Sequence, residues 1–211
     1  MNVSLEDLKS LAEALSGIPD DRPRWLAEMP SASDEGQTQF ARYYRFFHEF
    51  VKRFSPTSVL EVGTYKGSSA AHLALAAPAC RVLTLDVDPE ATRLVRAVAG
   101  ERGLTNLTAI VRPSSDALFG EAERLAPFDV LFIDAVHDFE NCYGDYLRYR
   151  PLVNPGGIIF FDDVRIDRQM EAAWSCIADP KVELPSLHYT GFGACKLDPM
   201  VTPRPLAEAR S

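Results

Sequence analysis

Three acidic side chains follow apolar runs of this sequence at the points where those runs end. Asp134 comes directly after the run 129–133, and Asp162 with Asp163 comes directly after the run 157–161. The carboxyl ends of parallel strands share one edge of a sheet, so these carboxylates should converge on one crevice. Convergence raises their pKa values unless a positive charge intervenes, and a divalent cation, Mg²⁺ or alternatively Mn²⁺ or Ca²⁺, would supply that charge. The alternative is that Asp162 and Asp163 cap the next helix and that Asp134 ends its strand at the surface.

A glycine-framed turn follows an earlier apolar run and is typical of a nucleotide-type binding loop. The run ends near the acid Glu61, and Gly63 and Gly67 enclose the turn that opens the next helix. Gly63 permits close approach of the backbone to a ligand, and Gly67 begins a helix whose first N–H groups are free. The pyrophosphate fingerprint needs a glycine where Tyr65 stands, so the pattern favours a ligand without pyrophosphate. A tight strand-to-helix turn that binds no ligand is the alternative.

A second acid lies at the tip of the next apolar run. Asp86 ends this run about twenty residues past the turn, where nucleotide-binding sheets place an acid that accepts hydrogen bonds from ribose hydroxyls. Asp88 precedes Pro89 and is better suited to cap the following helix. The turn and Asp86 together predict a ligand that contains a nucleoside.

The elements that must position these residues alternate between strands and helices. Strands are predicted at residues 58–62, 81–87, 107–112, 129–133 and 157–161, with helical stretches between them. This alternation predicts an α/β fold with βαβ units, a parallel sheet and helices on both faces. After a helix at 165–177, apolar runs at 182–189 and 192–197 predict a terminal hairpin.

The ends of the chain are predicted to be less regular. Residues 1–36 should form a helix, at 4–15, and an irregular arm that could fold over a site as a substrate lid. A helix at 37–54 carries an aromatic stripe, which either packs on the sheet as a core face or stacks against a substrate. Residues 199–211 are expected to form a loose tail.

The composition indicates a single domain, residues 1–211, that acts on small molecules. The 211 residues are 46% hydrophobic, which suffices for one α/β core and is short for two domains. A net charge of −8 argues against a nucleic-acid partner. The cysteines lack Cys-x-x-Cys spacing, and no apolar stretch approaches about eighteen residues, so we expect a soluble protein of the reducing cytoplasm without membrane association.

Over roughly residues 35–197 the sequence resembles the class I S-adenosylmethionine-dependent methyltransferases, whose first motif is an apolar strand, an acid and Gly-x-x-x-Gly. The resemblance implies a doubly wound, mostly parallel, seven-stranded Rossmann-like sheet with a C-terminal antiparallel hairpin. It implies S-adenosylmethionine as cofactor, bound by Glu61, Gly63, Tyr65, Gly67, Ser69, Asp86, Ser114, Ser115, Asp116 and Asp134. In this pattern Asp86 takes the ribose, and Ser114, Ser115 and Asp116 line the adenine.

The acids at the strand ends also resemble those of metal-dependent O-methyltransferases of the catechol and macrolide-sugar types. The resemblance implies that Asp134, Asp162 and Asp163 hold a divalent cation, Mg²⁺ above all. Three positions past the first ligand, catechol-type enzymes have lysine and macrolide-sugar enzymes have histidine, so His137 is the implied catalytic base; a solvated or structural histidine is the alternative. The implied acceptor is a small hydroxylated molecule, a vicinal diol of a sugar or a catechol.

Two other classes of protein share parts of this pattern. A protein that holds S-adenosylmethionine without turnover would carry the same motifs. An NAD-dependent oxidoreductase would share the sheet, although Tyr65 and the acids after the fifth strand disfavour it. The sequence leaves open which hydroxyl is methylated and whether the chain forms a homodimer.

Overall fold

One seven-stranded sheet organises the computed structural model, which describes residues 1–16, 18, 42–116 and 121–209. Its strands are Ser58–Val62 (β1), Arg81–Asp86 (β2), Leu107–Val111 (β3), Phe128–Ile133 (β4), Val153–Asp162 (β5), Lys181–Glu183 (β6) and Phe192–Lys196 (β7). The order across the sheet is β3-β2-β1-β4-β5-β7-β6. Strands β1 to β5 run parallel, and β7 is antiparallel to both β5 and β6. The predicted fold class is confirmed.

Helices cover both faces of the sheet, and some of them begin at well-defined caps. They are Leu5–Ala14 (α1), Arg42–Phe54 (α2), Ser68–Ala76 (α3), Pro89–Arg102 (α4), Glu121–Leu125 (α5), Phe139–Tyr149 (α6), Arg168–Cys176 (α7) and Leu206–Ala209 (α8). Ser4 and Asp7 form a capping box at α1, and Asp88 caps α4 with Pro89 at its first position, as predicted. Among the described helices, none combines the length and apolar character needed to cross a bilayer.

Neighbouring residues of the buried strands pack on opposite faces of the sheet. Phe160 packs against Phe47 of α2, with ring centroids 5.3 Å apart, whereas Phe161 packs against Trp174 of α7 at 5.6 Å. Both faces are therefore apolar, and a register shift of one residue would exchange them. This constraint aligns the carboxyl ends of β1, β2, β4 and β5 at one edge.

The terminal hairpin differs from the prediction in the length of its first strand. The sequence predicts a strand at 182–189, whereas β6 ends at Glu183 and residues 184–191 form a connecting loop. Pro185 has no N–H to donate to a ladder, and two backbone hydrogen bonds of 3.1 Å fold the loop on itself. The loop therefore extends towards the carboxyl edge of the sheet.

The predicted arm falls almost wholly outside the described residues. Of residues 17–36, only residue 18 is described, so the substrate lid stays a prediction. The predicted helix at 37–54 is described from Arg42 onwards.

The segment after β7 is attached to the domain, in contrast to the loose tail that the sequence predicts. The Arg150 guanidinium donates to the carbonyl oxygens of Asp198 at 2.7 Å and Val201 at 3.1 Å, and it pairs with buried Asp179. The Tyr143 hydroxyl donates to the carbonyl of Arg204 at 2.8 Å, and α8 packs beside α6. Donors on the domain thus hold the backbone carbonyls of this segment in place.

Candidate active site

A cavity of about 640 Å³ opens at the carboxyl edge of the sheet, where the ends of β1, β2, β4 and β5 meet α2. Most of the predicted site residues line it: Gly63, Tyr65, Ser69, Asp86, Ser114, Ser115, Asp134, His137, Asp162 and Asp163. Three predicted cofactor residues, Glu61, Gly67 and Asp116, lie outside its lining. The glycine loop (residues 63–67) and the acids after β4 and β5 therefore share one cavity.

Asp86 holds the glycine loop in place through backbone N–H groups. Its Oδ2 accepts from the N–H of Thr64 at 3.0 Å and of Tyr65 at 2.7 Å, and its Oδ1 accepts from the N–H of Asp88 at 2.9 Å. Tyr65 has a φ of 45°, a left-handed conformation uncommon for a residue with a side chain. Asp86 thus stabilises a strained loop and also faces the cavity.

The two glycines of the loop are required by contacts within the protein. A Cβ on Gly63 would lie 2.0 Å from the carbonyl oxygen of Asp134, and one on Gly67 would lie 2.4 Å from Cγ2 of Val95. Both glycines also have positive φ, 91° and 83°. The close approach that the sequence assigns to a ligand is therefore, at Gly63, an approach to the backbone after β4.

Glu61 is buried beneath the glycine loop. Its carboxylate accepts hydrogen bonds from the hydroxyls of Thr64, Ser69 and Thr84, which belong to the loop, α3 and β2. Burial raises the pKa of Glu61 to about 7 in spite of these hydrogen bonds. Glu61 therefore supports the glycine loop from beneath and does not line the cavity itself.

Two histidines lie between the three acids and form the carboxylate–histidine cluster (Asp134, His137, Asp162, Asp163 and His188). His137 Nε2 is 3.3 Å from Oδ1 of Asp134 and 3.3 Å from Oδ2 of Asp163. His188 Nδ1 is 2.9 Å from Oδ1 of Asp162 and 3.3 Å from Oδ1 of Asp163. Asp162 and Asp163 therefore come together as predicted, with His188 beside them, whereas Asp134 is linked to Asp163 through His137.

The histidines balance part of the negative charge of the cluster. The hydrogen bond to Asp134 raises the pKa of His137 to about 9. Burial opposes the charged form of His188, but the hydrogen bonds to Asp162 and Asp163 outweigh it and raise its pKa to about 10. Burial raises the pKa of Asp162, while the contacts of Asp163 outweigh its burial and lower its pKa. The acids of the cluster thus favour the protonated form of both imidazoles.

The two acids after β5 do not cap the following helix. The N-cap of α7 is Asp167, whose carboxylate accepts from the N–H groups of Gln169 at 2.8 Å and Met170 at 2.9 Å. Asp163 has a φ of 55° and accepts a hydrogen bond from the Thr190 hydroxyl. The capping alternative is therefore wrong for Asp162 and Asp163, which face the cavity.

The aromatic stripe of α2 divides between the core and the cavity. Phe46, Phe47 and Phe50 are fully buried against the sheet, whereas Tyr43 and Tyr44 line the cavity. The Tyr43 ring stacks on Phe192 at a centroid distance of 5.2 Å and meets the edge of His188 at 5.4 Å. The three phenylalanines thus fit the interpretation as a core face, and the two tyrosines fit the interpretation as a face that contacts a substrate.

Sequence reasoning missed His188 and Thr190, which the prediction places in or beside a strand. The topology of the sheet does indicate where His188 and Thr190 lie. Because β7 inserts next to β5, Phe192 pairs with Asp162 in the sheet, and the residues just before Phe192 must lie beside the acids. Only the pairing of the last strand reveals this, since residues 163 and 188 are distant in the sequence.

Comparison with known proteins finds similarity to methyltransferases. A family model described as a methyltransferase domain matches residues 60–164. Catechol O-methyltransferase domain-containing protein 1 of Mus musculus is 36% identical over 107 residues. That match covers 47% of this chain and 39% of the mouse protein, so the similarity spans well under half of the curated relative.

Solved structures share the fold over nearly the whole chain. The O-methyltransferase from Bacillus cereus, in complex with SAH, has a TM-score of 0.65 at 18% identity and covers 92% of this chain and 100% of its own. The O-methyltransferase TomG from Streptomyces achromogenes, in complex with SAM, has a TM-score of 0.63 at 17% identity, with coverage of 93% and 100%. Residues 60–164 thus match a methyltransferase domain, and nearly the whole chain shares the fold of these O-methyltransferases.

Proposed function

We propose that this protein transfers the methyl group of S-adenosylmethionine to a hydroxyl oxygen of a small molecule, with a divalent cation at the acids after β5. One observation carries the proposal: the glycine loop with Asp86 and the carboxylate–histidine cluster line the same cavity. Its volume of about 640 Å³ falls within the range of small-molecule sites, roughly 300–1,000 Å³. A methyl donor and an acceptor can therefore be held side by side, which is a large part of catalysis of methyl transfer.

We assign the cofactor to the side of the cavity formed by β1, β2 and the segment after β3. A carboxylate offers about four lone-pair positions. Three backbone N–H groups occupy positions on Asp86, so one remains for a ribose hydroxyl. Ser114 and Ser115 lie on the same wall and are assigned to the adenine, while Glu61, Gly67 and Asp116 act from outside the lining.

We assign the cation to Asp162 and Asp163, with Asp134 as the third ligand that the family pattern implies. Two buried carboxylates whose oxygens both approach His188 Nδ1 form a donor set that suits a hard or borderline divalent ion. When bound, such a cation favours deprotonation of a hydroxyl that it contacts. The carboxylates would hold this ion on the acceptor side of the cavity.

We assign the proton transfer to His137, which lines the cavity between Asp134 and Asp163. Nε2 can accept a proton only when the imidazole ring of His137 is neutral. Since its pKa is about 9, most of the His137 rings are protonated at neutral pH in the arrangement described here. The proton that Asp134 stabilises must therefore leave Nε2 before the acceptor hydroxyl can give up its own.

A vicinal diol is the acceptor class that this arrangement favours. Its two oxygens could both reach the cation, and Tyr43 and Tyr44 offer an aromatic wall for a sugar or catechol ring. The name of the mouse relative is consistent with the catechol alternative. We place the protein in the cytoplasm, because Cys80, Cys142, Cys176 and Cys195 are free thiols. Its acidic balance supports small molecules over nucleic acid as partners.

The test is production of S-adenosylhomocysteine with a panel of acceptors in the presence of Mg²⁺ or Mn²⁺. Catechols and sugars with adjacent hydroxyls should be methylated, and their monohydroxy analogues should react far more slowly. A chelator should abolish turnover, and added cation should restore it. Full turnover in excess chelator would remove the cation from the proposal. Tight binding of S-adenosylmethionine without turnover on any acceptor would indicate a non-catalytic binding protein.

A further inference from the structure

The loop between β6 and β7 delivers a histidine to the acids and holds it there. Arg165 N–H donates to the carbonyl of Thr190 at 2.6 Å, and Gly191 N–H donates to the carbonyl of His188 at 3.1 Å. Gly191 has a φ of 90°, and a Cβ there would lie 2.9 Å from Cβ of Arg165. The loop is thus packed tightly against the segment that follows Asp163. These contacts of the loop fix the position of His188.

Three potential ligand atoms of this region lie at metal-ligand spacing. Nδ1 of His188 is 2.9 Å from Oδ1 of Asp162 and 3.3 Å from Oδ1 of Asp163, and ligand atoms of these residues all fall within 4.8 Å of one another. Two ligands at about 2.1 Å from one ion are about 3.0 Å apart in octahedral geometry and about 3.4 Å apart in tetrahedral geometry. The observed separations of 2.9 and 3.3 Å are close to these values.

Nδ1 of His188 also has more oxygen neighbours than one N–H can serve. Besides the two carboxylates, the Thr190 hydroxyl oxygen is 2.9 Å away. A single N–H donates its hydrogen to one acceptor. The lone pair of Nδ1 and the neighbouring oxygens could instead all coordinate one cation. Thr190 in turn donates to Asp163 and fixes the orientation of that carboxylate.

We propose that His188 is a direct nitrogen ligand of the cation, so that Asp162, Asp163 and His188 form a mixed nitrogen–oxygen centre that prefers a first-row transition ion to Mg²⁺. The inference rests on the proposed cation at Asp162 and Asp163 and adds to it the ligand that sets metal preference. Mg²⁺ favours oxygen ligands, whereas imidazole suits Zn²⁺, Co²⁺ and, more weakly, Mn²⁺. His137 stays outside this centre, because its Nε2 contacts Asp134 and the other oxygen of Asp163.

The test is calorimetric titration of the full chain, free of any polyhistidine tag, with Mg²⁺, Mn²⁺, Co²⁺ and Zn²⁺ in turn. The unaltered protein should bind Co²⁺ and Zn²⁺ more tightly than Mg²⁺. His188→Ala should weaken Co²⁺ and Zn²⁺ roughly tenfold to a hundredfold or more and should change Mg²⁺ far less. His137→Asn is the matched control, which removes an imidazole from the same cluster and should preserve the order of affinities.

A measurement on the unaltered protein keeps the proposal testable if His188→Ala does not fold. Pulsed electron paramagnetic resonance of bound Mn²⁺ should show hyperfine coupling to a ligand nitrogen, and the coupling should persist in His137→Asn. Mg²⁺ binding at least as tight as that of Co²⁺, or Mn²⁺ without nitrogen coupling, would overturn the role of His188. If Asp162→Asn abolished cation binding in that case, the cation of the proposed function would stand without His188. Absence of binding by every cation would overturn both.

Discussion

Asp86 orders the glycine loop and is also the residue that we propose as the ribose acceptor. Two of its hydrogen bonds order the glycine loop and a third reaches the backbone before α4. Asp86 also lines a cavity large enough for a nucleoside. A change at Asp86 should therefore affect loop order and ligand contact together.

We expect Asp86→Ala to weaken S-adenosylmethionine binding at least tenfold in calorimetric titration, because it removes the ribose acceptor and releases Thr64 and Tyr65. The matched control is Asp88→Ala. Asp88 caps α4 with its side chain, so its loss should cost about 1 kcal/mol of stability and leave affinity nearly unchanged. Equal affinities for Asp86→Ala and the unaltered protein would disprove the ribose assignment.

His137 is the second residue whose role can be separated by substitution. His137→Ala should lower the turnover rate by a factor of roughly 10² or more, since a positioned proton acceptor is lost. Cofactor affinity should stay within about twofold, because the proposed cofactor wall lies across the cavity. The comparison is made at saturating cation in a discontinuous S-adenosylhomocysteine assay. A rate close to that of the unaltered protein would make His137 a bystander.

At the scale of elements, the glycine loop and the segment after β4 are in direct backbone contact. The carbonyl of Asp134 occupies the space that a side chain at position 63 would need. Any movement of one segment must therefore displace the other. The contact therefore connects the two parts of the site to which we assign cofactor binding and proton transfer.

We expect Gly63→Ala to destabilise the protein severely, by about 3 kcal/mol or more, because its Cβ would lie 2.0 Å from a backbone oxygen and φ is positive. The matched control is Gly100→Ala in α4, where an added Cβ meets no atom within 4 Å. This second change should be neutral or stabilise the helix by about 0.5–1 kcal/mol. Denaturant unfolding measures both. Similar stability of the two variants would show that the loop can accommodate a side chain at position 63 at little energetic cost.

The elements were largely predictable, whereas the full set of site residues was not. Periodic apolar runs specify each strand of the parallel sheet, and the acids at the strand ends specify the edge that carries the site. His188 escaped because its position depends on the pairing of β7 with β5, a long-range contact that local pattern does not encode. The contact between Gly63 and Asp134 escaped for the same reason, since the atom that excludes a side chain at Gly63 lies in a distant segment.

At the scale of the whole molecule, net charge and buried charge act in different ways. A net charge of −8 favours the approach of cationic ligands such as a sulfonium or a divalent ion. Buried Glu61, by contrast, makes the stability of the entire fold depend on pH. It joins β1, β2, the glycine loop and α3 through three hydroxyls.

The direction of this pH dependence follows from the raised pKa of Glu61, about 7 in the folded protein against an ordinary value of 4.5 for a glutamate side chain. Between these values the folded state holds a proton that the unfolded state releases, so stability is greatest below about pH 4.5 and is lost as pH rises towards 7. Glu61→Gln keeps a neutral side chain at every pH. Relative to the unaltered protein it should gain on the order of 1–3 kcal/mol between pH 5 and pH 8.

Thermal unfolding followed by circular dichroism at pH 5 and pH 8 measures this difference. Other titrating groups occur in both proteins and cancel in the comparison. Glu61→Ala, which removes the acceptor for all three hydroxyls, should be less stable than Glu61→Gln at both pH values. A difference between the Gln variant and the unaltered protein that did not change with pH would mean that Glu61 stays ionised in the fold.

The position of β7 between β5 and β6 also constrains how the chain can fold as it is synthesised. Of the seven strands of the sheet, β7 is made last, yet it separates two strands made before it. Until Phe192–Lys196 emerges, β5 is an apolar sheet edge without a neighbour on that side, and β6 has no place in the sheet. At about 5–20 residues per second, this unprotected edge persists for a few seconds in every nascent chain. Chaperone capacity during expression should therefore influence the yield of this protein more than its final stability does.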